Sequence, residues 1–336
     1  MINIQHEDIT FMMAGPIFPV TQKNIKQIKK LFSKSPIILS TWKNQDLAGI
    51  NVDEIILNND PGKIGNQPDK LFQNYNRMVL SVYNGLKSVK TKYVLRIRTD
   101  STIHNDNFLK LYNKMIASNL ANPTVFKQPI LVSQSLEFFI LPYFVSDFFQ
   151  FGLTEDISAL WNTPLATEQE ADWFKNKKYN FSILRPFNNP TKNTWSKYFS
   201  PEQTIFCKYL YKKGIDIDFK HQQDEITFKK LKNSITIIVN NCFLCSVYEI
   251  GLHSFKHPYL SKEKNMVNDW FKIHNMNKLK WFFFLFKIYI IRLHSIIIKI
   301  IIKLIVIKKL RILKNNIKII LGTIILFILI IYKLLV

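Results

Sequence analysis

The sequence contains few cysteines, three among 336 residues. Three is an odd number, which agrees with a reducing compartment, where disulfides do not persist. Cys242 and Cys245 form a lone C-x-x-C with no second cysteine pair, so the string offers too few ligands for a structural zinc site. The apolar residues around these two cysteines predict buried thiols in a strand.

Acidic residues are also scarce, with 24 Asp and Glu against 46 Lys and Arg, which gives a net charge of +22. No Asp or Glu lies between Trp270 and Val336, where thirteen Lys and Arg residues fall. A basic chain ordinarily suggests nucleic-acid binding. Here, however, the basic residues alternate with long runs of Ile, Leu and Phe. That mixture fits anionic membrane lipids better, and no nucleic-acid partner is expected.

The pattern of this basic tail is typical of a helix that lies at a membrane surface. Read as a helix, it places five cations within a sector of about 100°: Arg292, Lys299, Lys303, Lys314 and Lys318. Such a helix buries its apolar face among acyl chains and keeps its cations at acidic headgroups. The uncharged run 319–332 is short for a hydrocarbon core of roughly 30 Å, although a snorkelling Lys333 would lengthen it. A helical subdomain that packs on the protein itself is the other alternative.

The first residues lack a cationic stretch followed by an apolar core and a cleavage site, so we expect no secretory signal and a mainly cytoplasmic protein. The chain is long enough for one large catalytic domain, which we place in residues 1–260. Residues 261–280 are rich in Lys and Asn and predict a linker. Residues 281–336 form the basic, hydrophobic, helical membrane-association region.

Short apolar segments alternate with amphipathic ones through the first half of the chain. The patterns predict strands at 9–14, 36–42, 53–57 and 93–97, and helices at 21–32, 72–89 and 107–117. This alternation is typical of an α/β fold of Rossmann type, with a mostly parallel sheet and helices on both faces. The second half predicts aromatic-rich strands within 130–143 and helices near 157–161 and 201–213. We expect it to add strands to the same sheet and to build the pocket of the second substrate.

The string from Lys92 to Ser101 carries the clearest chemical signal. It predicts a buried strand that ends at Arg98 and Asp100. Ligands of open α/β sheets bind beyond the carboxyl ends of the strands, so a carboxylate there can hold Mg²⁺ or Mn²⁺ against a diphosphate. Asp100 as a turn or helix-capping acceptor is the alternative. Arg98 is a second source of positive charge for the same ligand.

Other candidate ligand-binding residues follow the first and third strands. Gly15 and Pro16 form a loop that lets backbone approach a ligand closely, or a simple strand-to-helix turn. Asp60 begins the string Asp-Pro-Gly, which either binds a base or ribose or forms an ordinary turn. Arg77 suits a two-point contact with phosphate, but a surface arginine or a structural partner of Asp60 is equally consistent with the sequence.

Several strings together resemble the WavE lipopolysaccharide-synthesis family over roughly residues 8 to 260. They are STW (40–42), DPG (60–62), NR (76–77), GLKSVKTKYVLRIRTD (85–100), SDFFQFG (146–152) and PEQ (201–203). The resemblance implies a GT-A-type glycosyltransferase that uses a nucleotide-sugar donor, and the donor-binding prediction includes Thr41 of the STW string. Two departures stand out: Thr99 occupies the place of a usual serine, and Arg98 occupies the first place of a D-x-D.

The acceptor base is expected in the second half of the chain. Sugar transfer often needs a carboxylate to deprotonate the acceptor hydroxyl, and we predict Asp147 and Glu202 for this role because both lie in the family strings. Glu202 at a helix N-terminus is also stabilised by the helix dipole, which is a purely structural alternative.

The resulting hypothesis is a glycosyltransferase at the cytoplasmic face of the bacterial inner membrane. Its donor would be a nucleotide sugar, its acceptor a lipid-linked or lipopolysaccharide-core glycan, and its tail would contact anionic lipids. A non-catalytic basic membrane scaffold or a nucleic-acid-binding protein is the rival from another class. Among enzymes, a nucleotidyltransferase or a phosphotransferase on a similar sheet is also open, since fold alone does not decide the reaction.

Overall fold

The fold described below is that of a computed structural model of the chain. The structure describes residues 4–66, 72–134, 139–177, 195–255 and 266–290. The predicted membrane tail from residue 291 onward lies outside the described residues.

Nine strands are present in the described part of the chain, and seven of them form the main sheet. The strands are β1 (Ile9–Ala14), β2 (Ile37–Trp42), β3 (Glu54–Asn58), β4 (Tyr93–Arg98), β5 (Ser101–Ile103), β6 (Ile130–Ser133), β7 (Phe149–Leu153), β8 (Cys242–Cys245) and β9 (Leu252–Ser254). The main sheet has the order β3-β2-β1-β4-β7-β6-β8, in which β7 alone runs antiparallel to its neighbours. Strands β5 and β9 form a separate antiparallel pair. The predicted mostly parallel sheet is thus confirmed.

Eight α-helices with defined bounds accompany these strands in the described residues, together with two 3-10 helices at His6–Asp8 and Phe72–Asn74. The α-helices are α1 (Thr21–Leu31), α2 (Tyr75–Lys87), α3 (Asn107–Ser118), α4 (Thr154–Trp161), α5 (Glu168–Ala171), α6 (Pro201–Lys212), α7 (Phe228–Asn241) and α8 (Met266–His274). Residues 278–290 are also helical. The first half therefore follows the predicted alternation, and β1 and the start of α1 fall at the predicted residues.

Consecutive residues of β1 show that helices cover both faces of the sheet. Side chains alternate between the two faces along a strand. The Phe11 ring contacts Phe108 of α3, with ring centroids 6.4 Å apart, while Met12 packs against Gly85 of α2. All six residues of β1 are buried, as expected for a central parallel strand covered on both sides.

The last strand of the sheet begins later than its apolar sequence suggests. The Ile- and Val-rich residues before Cys242 belong to α7, whose buried positions include Leu231, Ile235 and Ile238, three to four residues apart. Helical spacing therefore prevails over the strand preference of β-branched residues. Cys242 and Cys245 are buried free thiols in β8, as predicted.

The segment predicted as a linker contributes to the core. Within 261–280, α8 packs on β8, and the Trp270 indole donates a hydrogen bond to the Cys242 carbonyl at 3.0 Å. The helical residues that follow expose three large apolar side chains, Leu279, Phe282 and Phe283. No helix within the described ranges combines the length and the apolar character needed to cross a bilayer.

Candidate functional site

A cleft of about 410 Å³ opens at the carboxyl ends of β1, β2 and β4. The parallel register pairs Ala14 with both Ser40 and Arg98, so these three strands end at the same level. The side chains that line the cleft include Gly15, Pro16, Trp42, Asp60, Arg77, Arg96, Arg98, Asp100 and Asp147. The fold thus collects in one place residues that are up to 133 positions apart in the chain, from Ala14 to Asp147, and most of the predicted donor-binding residues are among them.

The loop after β1 is fixed by the middle residue of the Arg-Thr-Asp string. The Thr99 hydroxyl donates to the Pro16 carbonyl at 2.6 Å, and the Thr99 carbonyl accepts from Thr21 and Asn24 of α1. Gly15 has a φ of 132°, and a Cβ there would lie 3.1 Å from Thr99 Oγ1. A hydroxyl at position 99 therefore supports the loop, and glycine at position 15 is required by both conformation and space.

Asp60 and Arg77 form a two-point ion pair at the outer end of the cleft. Arg77 Nε and Nη2 lie 2.7 and 2.6 Å from the two carboxylate oxygens of Asp60. The same carboxylate accepts from the Gly62 N–H at 2.9 Å. Donation from Arg77 lowers the pKa of Asp60. The predicted structural partnership of these two residues is present, and it places both beside the cavity.

Asp100 lines the cleft, but its carboxylate is already engaged by Arg98. Arg98 Nε and Nη2 contact the two oxygens of Asp100 at 2.9 and 2.8 Å. The Asp100 side chain is only 3% exposed. In the part of the chain that the structure describes, no three His, Cys, Asp or Glu side chains cluster as a metal site would require. The residues in this arrangement do not fit Mg²⁺ or Mn²⁺, and the Asp100 metal assignment stays a prediction.

Arg96 lies at the inner end of the cleft and was not identified from the sequence. It precedes Arg98 by two residues on β4, so both side chains project from one face of the sheet. Its Nη2 is 3.3 Å from Asp147 Oδ2, and its guanidinium lies 4.7 Å from the centre of the Trp161 ring. A charged residue inside an otherwise apolar strand was the available signal, since such residues are rarely buried without a partner.

Asp147 and Glu202 line a second, very small cavity of about 10 Å³, next to the cleft. Glu202 lies in the first turn of α6, where the Ser200 hydroxyl caps the helix by accepting from the Gln203 N–H at 3.2 Å. Burial raises the pKa of Glu202 to about 7, and the negative charge of Asp147 contributes in the same direction. The two predicted catalytic carboxylates are thus brought together.

Thr41 is the predicted donor-binding residue that the structure separates from the others. It is fully buried in β2, and it is absent from the cleft lining, to which the next residue, Trp42, contributes instead. Neighbouring side chains of a strand point to opposite faces of the sheet, so Thr41 and Trp42 cannot both face the cavity.

Charges in the cleft are balanced in pairs. Asp60, Asp100 and Asp147 each contact one arginine, namely Arg77, Arg98 and Arg96. Three cations in one cavity are well suited to an anionic ligand, because each guanidinium can transfer hydrogen bonds from its carboxylate to a phosphate oxygen.

The solved structures that match this chain do so at low sequence identity and with low TM-scores. A 4-diphosphocytidyl-2C-methyl-D-erythritol synthase from Anaerococcus prevotii is 13% identical, with a TM-score of 0.28 over 51% of this chain and 83% of that chain. HddC from Yersinia pseudotuberculosis, complexed with GMP-PN, is 11% identical, with a TM-score of 0.25 over 45% of this chain and 78% of that chain. No curated protein sequence matches the chain.

The family comparison covers far more of the molecule. The family model described as WavE lipopolysaccharide synthesis matches residues 9–315, which include every strand and helix that forms the cleft. The chain therefore belongs to the WavE lipopolysaccharide synthesis family.

Proposed function

We propose that the protein is a GT-A-type glycosyltransferase that moves a sugar from a nucleotide-sugar donor to a lipopolysaccharide or other surface-glycan acceptor. The observation that carries this proposal is the position of the Asp147–Glu202 carboxylate pair beside a cleft lined by three arginines. A volume of about 410 Å³ lies within the usual range of small-ligand sites, roughly 300 to 1,000 Å³.

In this proposal the arginines stabilise the negative charge of the leaving diphosphate. As the bond between the sugar C1 and the diphosphate oxygen breaks, the electron pair leaves with the nucleoside diphosphate. Arg98 and Arg77 line the same cleft as Gly15. Their N–H donors are therefore in position in advance, and they can stabilise that charge as it develops. A divalent cation at Asp100, Mg²⁺ or Mn²⁺, would supply the same stabilisation only if Asp100 exchanged Arg98 for the metal.

The carboxylate pair supplies the base. The acceptor hydroxyl attacks C1 from the side opposite the diphosphate or by a retaining route, and in either case its proton must pass to an acceptor group. Glu202 suits this task because a pKa of about 7 lets a carboxylate hold or release a proton near neutral pH. Asp147, which lines both cavities, lies between Glu202 and the main cleft.

Membrane contact belongs to the same proposal. The basic tail would hold the enzyme against anionic lipids at the cytoplasmic face of the inner membrane, where a lipid-linked acceptor is anchored. The exposed side chains of Leu279, Phe282 and Phe283 lie just before that tail and support this placement. Truncation after residue 290 would preserve α8 and its contacts with β8. It should move the protein to the soluble fraction, and retention in the membrane pellet would contradict the proposal.

A product assay tests the transferase function directly. The full-length protein would be incubated with UDP-, GDP-, CMP- and TDP-sugars, and the released nucleotide identified by chromatography. Sugar transfer or donor hydrolysis releases a nucleoside diphosphate, or CMP from a CMP-sugar, whereas nucleotidyl transfer releases pyrophosphate. If no donor raises the melting temperature or yields product, while DNA or RNA binds in a salt-sensitive manner, the nucleic-acid-binding alternative holds instead.

The metal prediction has its own experiment. Asp100→Asn keeps the size of the side chain and removes its charge, and activity is measured with and without Mn²⁺. Metal-dependent activity in the wild type that is lost in the variant would support Asp100 as a metal ligand. Equal activity of the wild type with Mn²⁺ and with a chelator would remove the metal from the proposal and leave charge stabilisation to the arginines.

A further inference from the structure

The buried guanidinium of Arg96 has unused hydrogen-bonding capacity. Its side chain is only 2% exposed, and its one ion-pair contact, with Asp147, is 3.3 Å long. Its Nε and Nη1 atoms have no hydrogen-bond partner among the residues that the structure describes. A buried cationic donor without an acceptor is costly, and such groups are uncommon in native proteins. The arrangement therefore calls for an acceptor that the described part of the chain does not supply.

The neighbours of Arg96 explain why its donors lack partners. Gln150 is opposite Arg96 in the β4–β7 register, but its Oε1 accepts from the Trp161 indole at 2.7 Å. The amide nitrogen of Gln150 donates to the Ser146 carbonyl at 3.0 Å. The Trp161 ring itself offers the cation a π face and no oxygen. Within the described residues, Asp147 is thus the one hydrogen-bond acceptor that Arg96 contacts.

The other two ion pairs of the cleft are made differently. Arg77 with Asp60, and Arg98 with Asp100, each have two contacts between 2.6 and 2.9 Å. Among the described residues, Arg96 has a partner at Nη2 alone, and its Nε has none. Nε and Nη2 together form the fork that two oxygens of one anion fill. Of these three arginines, Arg96 can therefore most easily exchange its carboxylate partner for an oxygen of a ligand.

We infer that Arg96 forms an oxyanion-binding subsite at the inner end of the cleft, where a phosphate or carboxylate group of a substrate displaces Asp147 from the guanidinium. The role of this anion, though not its binding, rests on the proposed transferase function. Displaced Asp147 becomes a carboxylate without its cation between the cleft and Glu202, and it can then pass the proton of the acceptor hydroxyl on to Glu202. Occupation of the subsite would thus activate the base only when substrate is present.

Two sources carry suitable oxygens. The leaving diphosphate is one, and a carboxylate on an acidic sugar is the other. Inorganic pyrophosphate and glucuronate represent them as probes, and each is titrated calorimetrically into the full-length protein. Binding of pyrophosphate assigns the subsite to the leaving group, and binding of glucuronate alone assigns it to an acidic sugar.

Four variants make the test specific. Arg96→Gln should weaken binding of the responding anion by about tenfold or more, because a charge-assisted two-point contact is lost. Asp147→Asn should strengthen it, because the competing carboxylate is removed. The double variant Arg96→Gln/Asp147→Asn leaves no buried charge unpaired and should still fail to bind. Lys110→Gln removes one positive charge from an exposed pair with Asp106, outside the cleft, and should bind like the wild type.

The outcomes separate the possibilities. If Arg96→Gln does not fold, the double variant carries the comparison. A wild type that binds neither anion, a double variant that binds as tightly as the wild type, or an Asp147→Asn variant that binds less tightly would each overturn the subsite. If the anion data follow the expected pattern but no nucleotide sugar yields product, the subsite stands and the transferase proposal fails.

Discussion

The two ends of the cleft use the same pairs of residue types in opposite ways. At the outer end Arg77 and Asp60 are partly exposed and satisfy each other with two short contacts. At the inner end Arg96 and Asp147 are almost fully buried and share a single long contact. A well-bonded, hydrated pair costs little and contributes little to stability, whereas a poorly bonded buried pair costs much. The inner end is therefore where an ion pair costs the fold more stability than at the outer end.

The comparison between the two ends of the cleft is tested most strongly by removing one charge from the inner pair, Arg96 and Asp147. This change has the largest expected effect. Arg96→Gln leaves Asp147 buried without a cation, and we expect a loss of about 3–5 kcal/mol in the free energy of unfolding. Urea denaturation followed by circular dichroism measures this change. Replacement of both residues by apolar ones, Arg96→Met with Asp147→Leu, should restore stability. A single variant as stable as the wild type would contradict the high cost assigned to breaking the inner pair.

Glu202 provides the second test of the inner end. Glu202→Gln keeps the shape of the side chain and removes the proton acceptor, so we expect sugar transfer to fall by about 100- to 10,000-fold. The wild-type rate should rise with pH through about 7, as the carboxyl group ionises, and the variant should lack this rise. The matched control is Glu168→Gln, a change in an exposed residue of α5 that lies outside both cavities.

The same group makes stability depend on pH. The folded protein holds the pKa of Glu202 above its ordinary value, so ionisation favours the unfolded chain. The contribution of Glu202 to stability should fall as pH rises from about 4.5 through about 7, and then remain constant. At pH 8 we expect Glu202→Gln to be more stable than the wild type by roughly 1–3 kcal/mol. An equal stability difference at pH 4 and pH 8 would contradict the assignment.

The smallest effect is expected at the outer end. Arg77→Gln removes a partly exposed ion pair, and its free energy of unfolding should change by less than about 1 kcal/mol. The same variant should weaken binding of the donor, because one of the three guanidiniums near the diphosphate is lost. Thermal unfolding with and without the donor separates the two effects. A large loss of intrinsic stability would show that the outer pair resembles the inner one.

The sequence predicted the first half of the fold well, because each of its central strands is a continuous apolar run bounded by turn residues. β1 and the residues that close β4 were placed correctly for this reason. The α7 segment was harder, since Ile and Val favour strands locally while the buried positions follow a helical spacing. The packing of α8 against β8 was also not visible in a Lys- and Asn-rich composition, because one buried indole decides it.

Prediction of the site from the sequence was limited because some of its ion pairs join residues that are far apart in the chain. Gly15, Asp60, Arg98 and Asp100 were identified because each follows a strand, and the parallel register brings such residues together. Arg96 was missed because its partner, Asp147, lies 51 positions away. The spacing of residues along a strand cannot reveal which distant carboxylate meets a given cation.

All three cysteine thiols are buried, and two of them lie in β8 at the edge of the main sheet. The Cys245 sulfur contacts the Val132 carbonyl of the neighbouring strand at 3.3 Å. A thiol-modifying reagent can reach the two sulfurs of β8 when that edge detaches from β6 and α8. The rate of modification in native buffer therefore measures how often this edge of the sheet opens, and no label has to be engineered.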